Sequence, residues 1–194
     1  ELNVHELLFG DKDAPLPADY AVEADQEHAA GICTKLTAEL ENEGLARDNP
    51  LAKIPTLVQD DGRSLYDSFV ICDYLDTLHT REKVIPASGA RRWEVLTVHA
   101  LGNGMADAAI LCRYESVLRP EALRWPDWLN GQMKKVTGGL DWLEANVASV
   151  GRAGAAEVDL GQIAVACALG YLDFRFSDMD WRTARPRLSG WFKA

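Results

Sequence analysis

The residues best suited to chemistry in this sequence lie in two short segments that together could hold an extended, peptide-like ligand. In the first, NPLAKIPTL, Pro50 and Pro55 each fix a backbone φ angle and lack an amide donor. Because Ile54 precedes a proline, we expect it to be extended, with its N–H and C=O available to a ligand that adds as a strand. In the second segment, Asp67 and Ser68 begin a helical pattern. Ser68 can cap that helix, whose N-terminal amides attract a carboxylate.

A β-hairpin is expected to bring the two segments together. Residues 56–59 form the first strand, the sequence DDGR at residues 60–63 forms the turn, and residues 64–66 form the returning strand. The hairpin then delivers Asp67 and the serine after it to a position beside Pro55.

Downstream of the hairpin the sequence is helical by periodicity. Apolar residues recur at three-to-four spacing from Ser68 to near His79. Proline, glycine and mixed charge break this pattern at residues 80–89, where we place a domain linker. Residues 91–118 and 126–148 then form two long helices, and the prolines between them predict a connection between antiparallel neighbours.

The tetrapeptide DLGQ, which starts at Asp159, has the form of a capping box. The aspartate side chain can bond the glutamine N–H, while the glutamine side chain reaches back to the aspartate N–H. The residues that follow, 163–171, are apolar nearly all round and predict a helix buried in the centre of a bundle.

Three ionisable residues lie next to apolar helix segments, namely Arg113, Asp173 and Arg175. Buried charges must be paired. We therefore expect these three side chains to form a structural network.

Composition and charge narrow the class of protein. The chain has 194 residues, of which 47% are apolar and 26% charged, an ordinary globular balance. Its net charge of −10 disfavours nucleic acid and anionic membrane surfaces as partners. Its longest run of apolar residues and glycine, at residues 163–172, is too short to span a bilayer.

The four cysteines are dispersed and have no histidine at metal-ligand spacing, so we expect reduced thiols and no metal. No secretory signal is visible, which predicts a cytoplasmic protein.

Residues 49–192 resemble the glutathione transferase superfamily. The segment NPLAKIPTLVQDDGRSLYDSFVICDYLD resembles its glutathione-binding region. The segments RRWEVLTVHALGNGMADAAILCRYE, RPEALRWPDWLNGQMKKVTGGLDWLE, VDLGQIAVACALGYLDFRF and DWRTARPRLSGWF are similar to the helical domain of bacterial members. The resemblance implies a two-domain α+β fold, with a thioredoxin-like α/β domain at residues 1–79, a linker at 80–89 and an all-α helical bundle at 90–194.

The resemblance also implies a ligand and an activity. Glutathione would be the co-substrate: the Ile54 backbone, next to a cis Pro55, would pair with its cysteinyl part, Asp67 with Ser68 would hold the γ-glutamyl end, and Lys53 would reach the glycyl carboxylate. The implied reaction is conjugation of glutathione to a small electrophile, or reduction of that electrophile. The alternatives are a non-catalytic member that binds glutathione or another protein, and a structural or regulatory protein that has lost glutathione binding.

Family members activate the glutathione thiol with a hydroxyl or thiol at the start of the first helix. That residue is not identifiable here, and Cys33 is the one candidate.

In the family the electrophile pocket is lined partly by the first long helix of the second domain, and its candidates here are His99, Asn103, Met105 and Tyr114. The helix period does not point all four side chains the same way. Family members commonly dimerise through the helix after Asp67 and the first helices of the second domain, so the resemblance implies a homodimer.

The first 48 residues allow two interpretations. In one, residues 2–9 are the first strand of the N-terminal domain, followed by an irregular crossover; in the other, residues 4–10 are the tail of its first helix and the first strand is missing from the sequence. A helix is expected from about residue 29 to 42. The strand interpretation is favoured, because deleting a strand that lies between two others would leave two rows of backbone groups unpaired.

Overall fold

The structure, a computed structural model, describes residues 43–151 and 158–193. The chain divides into two compact units between Lys83 and Val84. The predictions for residues 1–42, including the first strand, the helix at 29–42 and the role of Cys33, lie outside the described residues. The domain and linker boundaries remain predictions.

The first unit contains a short helix and the expected hairpin. Helix α1 is Glu43–Asp48, strand β1 is Leu57–Val58 and strand β2 is Ser64–Leu65. The strands pair antiparallel, with Leu57 opposite Leu65 and Val58 opposite Ser64. Gly62 takes a φ of 82° in the turn, a conformation that glycine adopts without a steric cost. The hairpin prediction is confirmed.

Helix α2, Ser68–Thr77, follows the hairpin. Its N-cap is Asp67, whose Oδ1 accepts a hydrogen bond from the Phe69 N–H at 2.9 Å. The prediction that Ser68 caps this helix is therefore wrong, because the aspartate one residue earlier satisfies the free amide and Ser68 is already the first helical residue. The helix ends two residues before the predicted position, and the Lys83 ammonium donates to the carbonyls of Asp76 and His79 near this end.

In the second unit, the regular secondary structure of the described residues is all helical. Helix α3 is Gly89–Arg113 and continues into a π-helical turn, Tyr114–Leu118. Helix α4 is Pro126–Ala145, α5 is Leu160–Arg175 and α6 is Pro186–Lys193, with short 3₁₀ turns at Glu121–Leu123 and Val147–Ser149. Helix α3 packs against both α4 and α5.

Two glycines allow α3 and α5 to approach closely. A Cβ atom at Gly102 would lie 2.7 Å from the Ala164 carbonyl carbon, and one at Gly161 would lie 2.9 Å from the Val95 carbonyl oxygen. Both contacts are with backbone, which does not move aside as a flexible side chain does. Since Gly161 meets the earlier part of α3 and Ala164 meets Gly102, the two helices run in the same direction.

Helix α5 is the centre of the bundle, as predicted. The capping box is present in full: Gln162 N–H donates to Asp159 Oδ1 and Asp159 N–H donates to Gln162 Oε1, both at 3.0 Å. Arg91 adds an ion pair to the same aspartate. The helix buries residues on all sides, at positions 160, 161, 162, 164, 165, 168, 169, 170 and 172.

Within the described residues, one helical stretch, Gly89–Leu118, is long and apolar enough by length and composition to cross a membrane. Its most apolar 18-residue segment has a mean hydropathy of 1.3 and is 39% buried. Such evidence is weak, since the core helix of a bundle passes the same test. We interpret this stretch as a core helix because α3 buries seven side chains or glycines against its neighbours.

Candidate functional site

The loop that carries Ile54 and Pro55 is held in place by one buried amide side chain. Asn49 is 1% exposed. Its Nδ2 donates to the Lys53 carbonyl at 2.8 Å and to Thr56 Oγ1 at 3.1 Å, while its Oδ1 accepts from the Leu51 N–H at 2.9 Å. One side chain therefore fixes the backbone at Leu51 and Lys53 and also holds the Thr56 hydroxyl.

The role of Asn49 was not predicted from the sequence. A signal was available, since an Asn side chain that bonds the backbone N–H two residues later forms the Asx turn typical of Asn before a loop. The Oδ1 contact to Leu51 has this pattern. In the same loop Ala52 takes a positive φ of 47°, and its N–H donates to the Asn49 carbonyl at 2.8 Å.

The backbone of Ile54 is presented to solvent. The Ile54–Pro55 peptide bond is cis, and Ile54 is 82% exposed. Among the hydrogen bonds of the described residues, none uses the Ile54 N–H or C=O. An extended ligand can pair with both groups.

The Asp67 and Ser68 segment lies at the open end of the hairpin. The pairing of Leu57 with Leu65 puts the residues before β1 and the residues after β2 at the same end. Asp67 accepts the cap hydrogen bond with Oδ1, and its Oδ2 and the exposed Ser68 hydroxyl have no hydrogen-bond partner among the described residues. The Tyr66–Asp67 peptide bond is also cis.

The candidates on helix α3 and the turn after it have different surroundings. Asn103 Nδ2 and His99 Nε2 lie 3.3 Å apart on the partly exposed side of the helix. Tyr114 is 49% exposed at the start of the π-helical turn. Met105 is 2% exposed in the core of the helical unit, where it packs against Gly139. We therefore keep His99, Asn103 and Tyr114 as candidates and assign Met105 to packing.

The network expected among Arg113, Asp173 and Arg175 does not form, so that prediction is wrong. Asp173 instead pairs with Arg182 at 2.5 Å and accepts from Trp181 Nε1 at 2.9 Å. This carboxylate also raises the pKa of Arg182, through the hydrogen bond between them. Arg113 and Arg175 take no part in these contacts.

Two of the described thiols, those of Cys72 and Cys112, have a raised pKa. Burial raises the pKa of the Cys72 thiol, and the nearby carboxylates of Asp67 and Asp76 act in the same direction. Burial also raises the pKa of Cys112. Nucleophilic and thiol-activating cysteines have lowered pKa values, so neither residue fits that role, and the catalytic group remains unassigned. Within residues 43–151 and 158–193, no group of three or more His, Cys, Asp or Glu side chains is placed to hold a metal ion.

Comparison with known proteins places the chain in a family. Residues 23–78 match the sequence profile described as "Glutathione S-transferase, N-terminal domain", and residues 126–194 match "Glutathione S-transferase, C-terminal domain". The uncharacterized GST-like protein YibF of Escherichia coli strain K12 is 34% identical over 145 residues, which cover 75% of this chain and 71% of YibF. The chain belongs to the glutathione S-transferase family. A thioredoxin-like N-terminal domain followed by a helical domain, as predicted, is thereby confirmed.

Solved structures of other glutathione transferases resemble the chain in both sequence and fold. A family member from Pseudomonas fluorescens Pf-5 with bound glutathione is 47% identical, with a TM-score of 0.73 over 78% of this chain and 72% of that one. A structure of a family member from the same strain with bound S-(propanoic acid)-glutathione is 48% identical, with a TM-score of 0.69 over 74% of this chain and 71% of that one.

Proposed function

We propose that this protein binds glutathione on the exposed Ile54 backbone and joins its thiol to a small electrophile. The observation that carries the proposal is the pairing-competent edge at Ile54, next to a cis proline, in a chain 47% identical to a transferase that holds glutathione. Glutathione is a tripeptide, and an extended peptide recognises such an edge through its own backbone groups.

Each end of glutathione has a charged or polar partner in this proposal. Asp67 takes the γ-glutamyl ammonium with its free carboxylate oxygen, and Ser68 donates to the γ-glutamyl carboxylate at the start of α2, where the helix amides favour a negative charge. The Lys53 ammonium reaches the glycyl carboxylate. Its backbone supports this role, because the Lys53 carbonyl is held by both Asn49 and Thr56.

In the proposed reaction the thiol proton goes to solvent, and the thiolate sulfur forms a bond to an electrophilic carbon. In a substitution the leaving group departs with its electron pair, and in an addition the carbon–carbon π pair takes up a proton. His99, Asn103 and Tyr114 are the proposed contacts for the electrophile. The bound S-(propanoic acid)-glutathione of the 48% identical relative supports a product with a carboxylate on the added group.

We also propose a cytoplasmic homodimer. Exposed apolar side chains on α2, Val70 and Leu75, and exposed Trp93 on α3 support an interface of the kind common in the family. Cys72 and Cys112 are free thiols, which suits a reducing compartment. A monomeric mass in solution at working concentration would remove the dimer from the proposal.

The binding part is tested by replacing Ser68 with Ala and measuring glutathione affinity by calorimetry. Because Asp67 caps α2, the Ser68→Ala variant keeps the cap, so weaker binding reports the lost contact alone. A hydrogen bond to a charged group predicts a loss of roughly 1 to 3 kcal/mol. Ser88→Ala is the matched control, since exposed Ser88 precedes α3 and makes no side-chain cap bond. Equal affinity of the Ser68→Ala variant and the unmodified protein would return Ser68 to a plain helix residue.

Catalysis is tested separately, by following conjugation of glutathione to 1-chloro-2,4-dinitrobenzene. Turnover above the uncatalysed rate supports a transferase. Glutathione binding without turnover of this or other electrophiles would instead support the non-catalytic member considered above, and absence of binding would overturn both.

A further inference from the structure

The C-terminal end of helix α2 has no cation of its own. A basic side chain in the last turn of a helix compensates the partial negative charge of the free carbonyls there, but the last turn of α2 contains none. Two of these carbonyls have local donors. The Thr77 hydroxyl donates to the Tyr74 carbonyl at 2.6 Å. The Leu78 N–H donates to the Leu75 carbonyl at 3.1 Å. The next carbonyl, that of Asp76, takes its donor from outside the helix.

That donor is the ammonium of Lys83, which donates to the carbonyls of both Asp76 and His79. One cation thereby satisfies two acceptors and supplies the positive charge that the helix end lacks. The same end is closed to water. The Asp76 side chain is 5% exposed and its carboxylate lies 3.2 Å from His79 Nε2, while His79 Nδ1 is buried. We call Asp76, His79 and Lys83 the α2 latch.

The residues that follow the α2 latch are bonded to the second unit. The Val84 carbonyl accepts a hydrogen bond at 2.9 Å from the N–H of Leu160, the first residue of α5. The Pro86 carbonyl accepts one at 3.0 Å from Nη1 of Arg92 on α3. The division between the two units falls between the latch and Val84. The predicted linker, residues 80–89, is therefore bonded to the first unit on one side of that division and to the second unit on the other.

The chain between His79 and Lys83 depends on the ammonium for its position. Residues 80–82 are exposed and make no hydrogen bond with another described residue. Segments with few buried contacts and exposed backbone open locally at a lower cost in free energy than the core does. Loss of the Lys83 contacts would therefore release this stretch before any other part of the first unit has to unfold.

We propose that the α2 latch sets how many residues connect the two units. With the Lys83 ammonium bound, the chain is fixed to the first unit as far as residue 83, and one peptide bond joins it to Val84. Without these contacts, residues 80–83 become part of the connection and the last turn of α2 loses its cation. Hinges are commonly a few residues of this kind at the ends of elements. Removal of the positive charge of Lys83 opens the latch, whereas the hydrogen bonds of Val84 and Pro86 to the second unit remain.

The latch is tested by amide hydrogen exchange of the full chain, resolved by residue with NMR. In Lys83→Met, the amides of residues 75–78 should exchange at least about tenfold faster, because a hydrogen bond from a charged group corresponds to that factor or more. The Leu160 amide, which donates to Val84, should keep its rate. Trypsin cleavage after the exposed Arg81 should accelerate in the same variant, since the protease cuts the opened segment.

The controls separate the charge of Lys83 from its packing. Lys83→Arg keeps a cation that can donate to both carbonyls, so it should retain most of the protection. Arg92→Met removes a bond from a cation to a carbonyl on the other side of the division and should leave residues 75–78 unchanged. If Lys83→Met fails to fold, Lys83→Gln, which is polar but uncharged, takes its place.

Two results would overturn the proposal. The first is unchanged exchange at residues 75–78 in the uncharged variant, which would show that the ammonium does not hold the helix end. The second is an equal acceleration at Leu160, because the substitution would then act on the whole chain and not on the α2 latch alone.

Discussion

The buried amide of Asn49 should control both the stability of the first unit and its affinity for glutathione. Replacing it with Ala removes three hydrogen bonds, of 2.8, 3.1 and 2.9 Å. Each contributes about 0.5–1.5 kcal/mol net, so the upper limit of the loss is about 4.5 kcal/mol. The actual loss in the free energy of unfolding should be smaller. Thr56 Oγ1 still donates to the Lys53 carbonyl, and the backbone N–H of the exposed Leu51 can bond water. We expect a loss of about 2 to 3 kcal/mol.

The same change should weaken glutathione binding, although Asn49 is not a proposed ligand contact. Without its amide the Lys53–Ile54 backbone has to be ordered when the ligand binds, and fixing a single residue costs roughly 1–2 kcal/mol. The expected result is an affinity about tenfold lower, since 1.4 kcal/mol corresponds to a factor of ten.

Urea denaturation followed by circular dichroism measures the stability, and calorimetry measures the affinity. Asn49→Asp is the sharper variant: it preserves shape and the Leu51 contact but cannot donate to the Lys53 carbonyl, so it should be at least as damaging as Asn49→Ala. Asn146→Ala, which removes one exposed bond to the Trp142 carbonyl, is the control and should leave glutathione affinity unchanged. Wild-type stability and affinity in the Asn49→Asp variant would refute the donor role assigned to this amide.

Three further predictions concern packing, capping and thiol reactivity. Gly102→Ala should destabilise the helical unit by about 1–3 kcal/mol in thermal unfolding because its Cβ meets the α5 backbone, whereas Gly104→Ala, which faces open space, should stabilise by about 0.5–1 kcal/mol. Asp159→Ala should cost about 0.5–2 kcal/mol in the same assay, and an unchanged melting temperature would contradict the capping role. Cys72 should react with iodoacetamide more slowly than free cysteine at pH 8, measured by peptide mass spectrometry, because burial raises its pKa; an equal rate would disprove that.

Patterns that are local in sequence were predicted well. The capping box at Asp159 joins residues three positions apart, and the hairpin between residues 56 and 66 depends on one short turn. The proline at position 55 alone restricts the residue before it, so the exposed edge at Ile54 could be proposed without a structure. The fold class was predicted from the family resemblance over residues 49–192. Periodicity by itself predicted only the individual helices and strands.

Two predictions were wrong because the sequence does not show which of several neighbouring residues takes a given role. Both Asp67 and Ser68 are good N-caps, and the choice between them depends on where the chain leaves β2, a backbone property that residue type does not encode. Met105 was proposed for the pocket, but its face of α3 is decided by the neighbour that leaves space for it, Gly139 on α4.

The arginines show why non-local chemistry escapes a reading of the sequence and yet becomes evident in the structure. Asp173 is only two residues from Arg175 in the sequence, so we expected these two side chains to pair. The chain after α5 instead turns back and brings Arg182 to within 2.5 Å of that carboxylate. An acid satisfied by one arginine is no longer available to two others, so the expected network does not form. The pair predicts that Arg182→Gln should lower the melting temperature of the protein, because Asp173 then loses its cationic partner and keeps only the hydrogen bond from Trp181 Nε1. An unchanged melting temperature in that variant would show that the Asp173–Arg182 pair contributes nothing to stability.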